Sequence, residues 1–276
     1  MELRTACSPK DAKYYDTQRL REEFLIQDLF NEDSIKYVYS HIDRIITGGA
    51  KPVHKALVME AGDELRAEYF LQRREMGIIN IGGSGKVTVD GKEYALNYKD
   101  GIYIGRGNKE IVLSSDDPEH PAKFYFNSTP AHKEYPTVLI HPEDCVHQEL
   151  GTLESCNHRV IRKYILPGQV ESCQLVMGMT SLCEGSVWNT MPCHTHDRRM
   201  EVYLYFELPE NDVVFHLMGE PTETRHIVMR NEEAVISPSW SIHSASATHN
   251  YTFIWGMAGE NQDFDDMDGV AMKDIR

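Results

Sequence analysis

The run His194-Thr195-His196-Asp197-Arg198-Arg199-Met200-Glu201-Val202-Tyr203-Leu204-Tyr205-Phe206 sets two imidazoles one residue apart and a carboxylate shortly after them. On a strand, side chains at i and i+2 leave from the same face, so His194 and His196 point together. From Glu201 onward the run is rich in β-branched and aromatic residues, and it reads as the next strand of a hairpin whose turn is Asp197 to Met200. A third imidazole comes from further along. The apolar run Ala234-Val235-Ile236 leads into Pro238-Ser239-Trp240-Ser241-Ile242, a turn that delivers His243 to the start of another strand, one heading toward Tyr251 and Trp255. Three neutral imidazoles and one carboxylate make a nitrogen and oxygen donor set that suits zinc, iron(II), manganese or nickel. In a chain with 13 histidines a lone His-x-His pair is weak evidence. The glutamate at a strand start and the setting of His243 are what separate this set from surface or core histidines. One divalent ion per chain is therefore expected, held by His194, His196, Glu201 and His243.

Around this run the chain reads as all-β. Short β-rich stretches separated by turns follow Gly48-Gly49, at Val53–Met59, Ile78–Ile81, Lys86–Val89, Glu93–Leu96, Ile102–Ile104, Ile111–Ser114 and Phe124–Phe126. Asp90-Gly91 between two alternating runs is a hairpin signal. Gly82, Gly83 and Gly85 have no helix behind them and read as turn residues, not a nucleotide loop. Before Gly48, apolar Leu20, Phe24, Leu25 and Leu29 recur at helical spacing and predict an amphipathic helix from Tyr14 to about Phe30. At 276 residues the chain is long enough for one large domain or for two halves of ordinary size. The divisions expected are residues 1–48 as a helical extension, 49–150 as one barrel and 151–276 as a second, metal-binding barrel with an acidic tail.

The two halves carry a weak internal repeat. Arg73 to Ile79 can be laid on Arg198 to Leu204, which puts Tyr69, Leu71 and Met76 at the positions of His194, His196 and Glu201. Gly105 to Glu110 parallels Pro238 to His243. On this alignment the first barrel keeps the scaffold and lacks the ligands.

Net charge is −15, from 43 acidic and 28 basic residues, which argues against a nucleic-acid partner. No apolar run has membrane length, and the first residues lack a secretory core, so a soluble cytoplasmic protein is expected. The six cysteines have no paired-motif spacing and read as reduced thiols, with Cys193 facing away from its neighbour His194.

The metal-type motif resembles that of the cupin superfamily, whose first motif is His-x-His-x(3,4)-Glu and whose second is Pro-x-Gly-x-x-His. Trp240 stands where the second motif usually has glycine. The stretches Gln174 to His196, Met200 to Phe206, Ile79 to Gly91 and Gly259 to Asp268 are more specific: they resemble the 5-keto-4-deoxyuronate isomerase family over nearly the whole chain. That resemblance implies tandem cupin (jelly-roll) barrels, zinc as the ion, a homohexamer, and a place in the cytoplasmic breakdown of pectin-derived uronates. The reaction it implies is an aldose–ketose isomerisation of 5-dehydro-4-deoxy-D-glucuronate to 3-deoxy-D-glycero-2,5-hexodiulosonate. Two other classes use the same scaffold: an iron(II) cupin dioxygenase, and a sugar-binding cupin without catalysis.

An anionic substrate needs a local cation, because the overall charge repels it. The strand Arg159 to Tyr164 offers Arg162 and Lys163. Adjacent strand residues face opposite ways, so one of the two is expected inward as the carboxylate anchor. Gln174 and Thr180 are candidates for sugar hydroxyls, and Trp240 for a pocket wall. Arg198 and Arg199 are expected on the surface at the hairpin turn. No residue presents itself as the catalytic base, since Glu201 is committed as a ligand.

Overall fold

The computed structural model describes residues 1–261 and 263–276. Gln262, part of the resemblance-bearing run Gly259 to Asp268, lies outside the described residues. The chain divides into two compact units, one made of Met1–Arg4, Asp28–Val146 and Tyr164–Val176, the other of Thr5–Gln27, His147–Lys163 and Met177–Arg276. Each is a jelly-roll barrel of two facing sheets, so the all-β tandem cupin architecture read from the sequence is the one observed.

In the first unit the larger sheet orders Glu2–Arg4, Ile35–Ser40, Ile46–Ala50, Phe124–Pro130, Arg74–Asn80, Gly101–Ile104 and Val138–Ile140. The smaller orders Leu57–Val58, Ile111–Ser115, Gly85–Val89 and Lys92–Leu96. Alternation in Gly85–Val89 turns Val87 and Val89 into the core while Lys86 and Thr88 remain half-exposed. The hairpin closes at Asp90 and Gly91, both at positive φ (48° and 82°), which matches a type I′ turn that only Asn, Asp and Gly tolerate readily. The core between the sheets is apolar and includes Phe70, Leu71, Met76, Ile78, Leu113, Phe124 and Phe126.

In the second unit the larger sheet places Val176–Leu182, Thr252–Gly259, Arg199–Phe206, Glu233–Ser237 and Leu25–Ile26 side by side, with Arg159–Ile165 flanking Val176–Leu182. The facing sheet is Trp188–Asn189, Ser244–Ala247, Val214–Glu220 and Glu223–Met229.

Strand pairing gives the internal repeat its register. Glu201 pairs with Ser237, the last residue of its neighbour strand, and with Met257 on the other side. Met76 pairs with Ile104, the last residue of the corresponding strand, and with Ser128. Met76 thus occupies in one barrel the place that Glu201 occupies in the other, and its side chain joins an apolar core.

The N-terminal stretch departs from the expected extension. The helix runs only from Thr17 to Phe24, with the Asp16 side chain accepting from the Arg19 N–H as its N-cap. It stops there because Leu25 and Ile26 pair with Val235 and Ala234, and that ladder outweighs helical spacing. Residues from Asp28 onward count with the first unit, since Ile35–Ser40 and Ile46–Ala50 are hydrogen-bonded into its sheet. The β-rich stretch Val53–Met59 shrinks to Leu57–Val58, because the Asp33 carboxylate captures the N–H groups of Val53 and His54. Among the described residues no helix is long and apolar enough to cross a membrane.

Candidate active site

The second barrel gathers His194, His196, Glu201 and His243, and one ligand-type atom from each lies within 4.8 Å of all the others. Each arrives by a different local device. His194 belongs to a two-residue strand that pairs with Asp268–Gly269, so the expected hairpin with the following strand does not form. Glu201 is the third residue of Arg199–Phe206, not the first, and its inward face is set by pairing on both sides. His243 follows the turn closed by the Ser241 N–H donating to the Pro238 carbonyl, and it immediately precedes Ser244–Ala247.

The donors are oriented for a cation. His196 Nδ1 lies 2.9 Å from the Arg199 carbonyl oxygen, which accepts its N–H and leaves Nε2 with a lone pair. That Nε2 is buried without a hydrogen-bond partner and stands 3.4 Å from Glu201 Oε1. His243 Nε2 lies 3.3 Å from Glu201 Oε2 and 2.9 Å from His194 Nε2. A buried acceptor with nothing to accept from is costly, and a cation at the centre would satisfy it. The donor set is compatible with a divalent metal.

Electrostatics favour the ligating form at His194, His243 and Glu201, while His196 is drawn toward its protonated form by the carboxylate beside it. Burial, then the charge of His243, pushes His194 down to about 3. Burial lowers His243 to about 4. Burial works to raise the Glu201 carboxyl, yet His243, His196 and His194 together outweigh it and hold the group ionised. For His196 burial acts downward, and the contact with Glu201 overcomes it and raises the net value. At neutral pH, His194 and His243 present free lone pairs to a carboxylate-bearing centre, the state metal binding requires.

The cluster opens on a cavity of about 320 Å³, within the range of small-molecule sites. His194 and Glu201 line it together with Arg159, Thr180, Tyr203 and Trp255. Tyr203 is a neutral phenol, since burial and then Glu201 raise its ionisation well above the usual range. Trp255 lies flat enough over the strand floor that a Cβ on Gly178 would meet its ring at 2.1 Å, so only glycine fits there.

Several residues sit elsewhere than the sequence predicts. Thr180 does line the cavity, but its Oγ1 accepts from Trp255 Nε1 at 3.1 Å. Gln174 belongs to the first unit, where its N–H donates to Glu75. Trp240 packs edge-on against Phe24 with centroids 6.4 Å apart and lines a cleft with Leu20 and Met218, because its turn faces the N-terminal helix. Lys163 is 9 % exposed and holds its ammonium 4.3 Å from the Phe264 ring centroid. Arg162 is half-buried and is not among the residues lining the cavity. Arg199, expected at the surface, is 1 % exposed and lines the cavity, ion-paired with Asp266 Oδ1 at 2.5 Å. Arg159, which the sequence motifs do not single out, lines the cavity two residues before Ile161 on the same strand face.

Comparison with known proteins agrees with the sequence motifs. The model of the KduI/IolB family matches residues 24–273. The chain belongs to that family. A "4-deoxy-L-threo-5-hexosulose-uronate ketol-isomerase" of Lachnoclostridium phytofermentans is 74 % identical over 276 residues, covering 100 % of both chains. One of the same name from Escherichia coli is 55 % identical over 278 residues, again covering 100 % of both. Among solved structures, an IolB-like protein from Salmonella typhimurium superposes with a TM-score of 0.68 at 13 % identity, covering 82 % of this chain and 87 % of that one. That likeness shows the fold of this KduI/IolB family member, and the sequence relatives carry the functional reading.

Proposed function

We propose that this chain is a metal-dependent ketol-isomerase that converts 5-dehydro-4-deoxy-D-glucuronate to 3-deoxy-D-glycero-2,5-hexodiulosonate. The observation that carries the reading is the convergence of His194, His196, Glu201 and His243 on a cavity of small-sugar size, in a chain 74 % identical to a relative bearing that isomerase name. The proposal extends to zinc as the ion, to a homohexamer, and to a cytoplasmic role in the use of pectin-derived uronates; the family resemblance implies each of these. It also takes the first barrel as a scaffold without metal ligands, with Met76 and Leu71 filling the equivalent space.

The reaction moves a carbonyl from C1 to C2 of the sugar acid. A proton leaves C2 and returns to C1 through an enediol, or a hydride passes between the two carbons. A divalent ion at the four residues would supply Lewis-acid stabilisation of the charge that develops on O1 and O2. His194, His196 and His243 hold the donor geometry, and Glu201 supplies the negative charge that keeps it together. Tyr203, held protonated at the cavity wall beside Glu201 and with its hydroxyl 3.3 Å from Thr190 Oγ1, is a neutral phenol and not a base. Phe253, Trp255, Met257 and Phe264 form an apolar wall that limits water around a reactive enediol. The test is incubation of purified protein with the ketouronate, following the loss of the C1 aldehyde and the gain of the C2 ketone by NMR.

A further inference from the structure

Two guanidinium groups line the cavity, and they differ in what neutralises them. Arg199 is ion-paired with Asp266 and also donates to the carbonyls of Asp263 and Phe264, at 2.9 Å each. Arg159 comes from the first position of the strand Arg159–Ile165 and is half-buried. Its Nη1 donates to the Asn157 carbonyl at 2.9 Å, and among the described residues no carboxylate pairs with it. The groups that act on it are its own burial and the nearby Tyr203, which places it on the wall next to the cluster. A partly desolvated cation without an internal anion carries a cost that a bound anion would return. In a chain of net charge −15, with carboxylates in excess, an arginine left without one inside a cavity marks where an anion docks.

We propose that Arg159 binds the carboxylate of the uronate substrate and so holds the six-carbon chain with its other end at the histidine cluster. This rests on the isomerase reading above and adds to it the group that selects sugar acids over neutral sugars. Arginine suits the task because its planar fork meets a carboxylate with two parallel hydrogen bonds, and one Nη remains uncommitted after the Asn157 contact. Lys163 shares the strand face but holds its charge over the Phe264 ring, and Arg162 alternates to the other face. Neither competes for the role.

The test uses the metal-loaded protein and two variants, Arg159→Gln and Arg159→Lys. For the ketouronate, Arg159→Gln should raise KM roughly ten- to a hundredfold, while kcat changes less and Arg159→Lys recovers part of the loss. A second readout does not depend on turnover: the thermal shift produced by D-galacturonate compared with D-galactose. Wild-type protein should prefer the uronate, and Arg159→Gln should lose that preference while its unliganded melting temperature stays near wild type. Unchanged KM and an unchanged uronate preference in Arg159→Gln would overturn the assignment and leave the isomerase reading standing. Wild-type protein that fails to isomerise the ketouronate, yet binds galacturonate only when Arg159 is present, would overturn the isomerase reading and keep the anion site.

Discussion

His196 Nδ1 lies 2.9 Å from the carbonyl oxygen of Arg199, three residues further along the chain. The contact fixes which ring nitrogen carries the proton, and so which one faces Glu201. The same Arg199 is pinned through its guanidinium by Asp266, which also pairs with Arg198. The acidic C-terminal segment is therefore joined to the orientation of a ligand histidine, and Phe264, Asp265 and Met267 from that segment help line the cavity.

This linkage makes Asp266 a positioning residue. Replacing it by Ala leaves a buried guanidinium with carbonyl partners only and loosens the Arg199 backbone under His196. Metal affinity should fall roughly ten- to a hundredfold, the usual cost of losing a group behind a ligand. Titration of the holoprotein with a competing chelator measures it directly. Affinity equal to wild type would mean the C-terminal segment plays no part in the site.

The metal-type cluster was legible because three of its four members fall in one short run and the fourth sits behind a turn with its own signature. The all-β class was legible for the same kind of reason, since period-two alternation such as Gly85–Val89 is local. What the sequence misplaced depends on long-range partners. Arg199 looks like a turn residue until Asp266, far along the chain, buries it. Trp240 looks like a cavity wall until Phe24 in the N-terminal helix meets it. Leu25 and Ile26 carry helical spacing yet are drawn into a sheet by Val235 and Ala234. Arg159 shares its strand face with Ile161 and Lys163, and nothing local in the sequence distinguishes it from Lys163 until Phe264, far along the chain, takes the lysine's ammonium.

In the first unit a buried carboxylate takes the place of apolar packing. Glu75, 0 % exposed, accepts from the N–H groups of Cys173, Gln174 and Leu175, from the Tyr103 hydroxyl and from Thr129 Oγ1. Glu75→Ala removes the acceptor for all five donors. A loss of about 3–6 kcal/mol in unfolding free energy is expected. Denaturant unfolding of wild type and variant measures it, and a difference below about 1 kcal/mol would show that water or rearrangement replaces the carboxylate.

Acid should weaken the second unit through His216. This imidazole is fully buried, 2.8 Å from the Tyr205 hydroxyl, and burial pushes it from 6.5 down to about 3. Below pH 6.5 the unfolded chain takes up a proton that the folded chain refuses, so stability is complete above that value and declines as pH falls toward 3. Between pH 6.5 and 5 the decline from this group alone is about 2 kcal/mol. His216→Gln, which keeps an acceptor for Tyr205 and does not titrate, should flatten the curve when both proteins are unfolded in chelator. Identical pH profiles would assign the acid sensitivity to other groups.

On the proposed reading, isomerisation depends on an ion held by His194, His196, Glu201 and His243. The most direct measurement is turnover of 5-dehydro-4-deoxy-D-glucuronate by wild-type protein and by His243→Ala, each stripped with chelator and then supplied with zinc, manganese or iron(II) under anaerobic conditions, with metal content determined on the same samples. Stripped wild type should show no turnover and should recover it with one bound ion per chain, while a His243→Ala protein that still unfolds cooperatively should neither retain metal nor recover activity. Full activity in the stripped wild type, or unchanged metal content and turnover in His243→Ala, would contradict it.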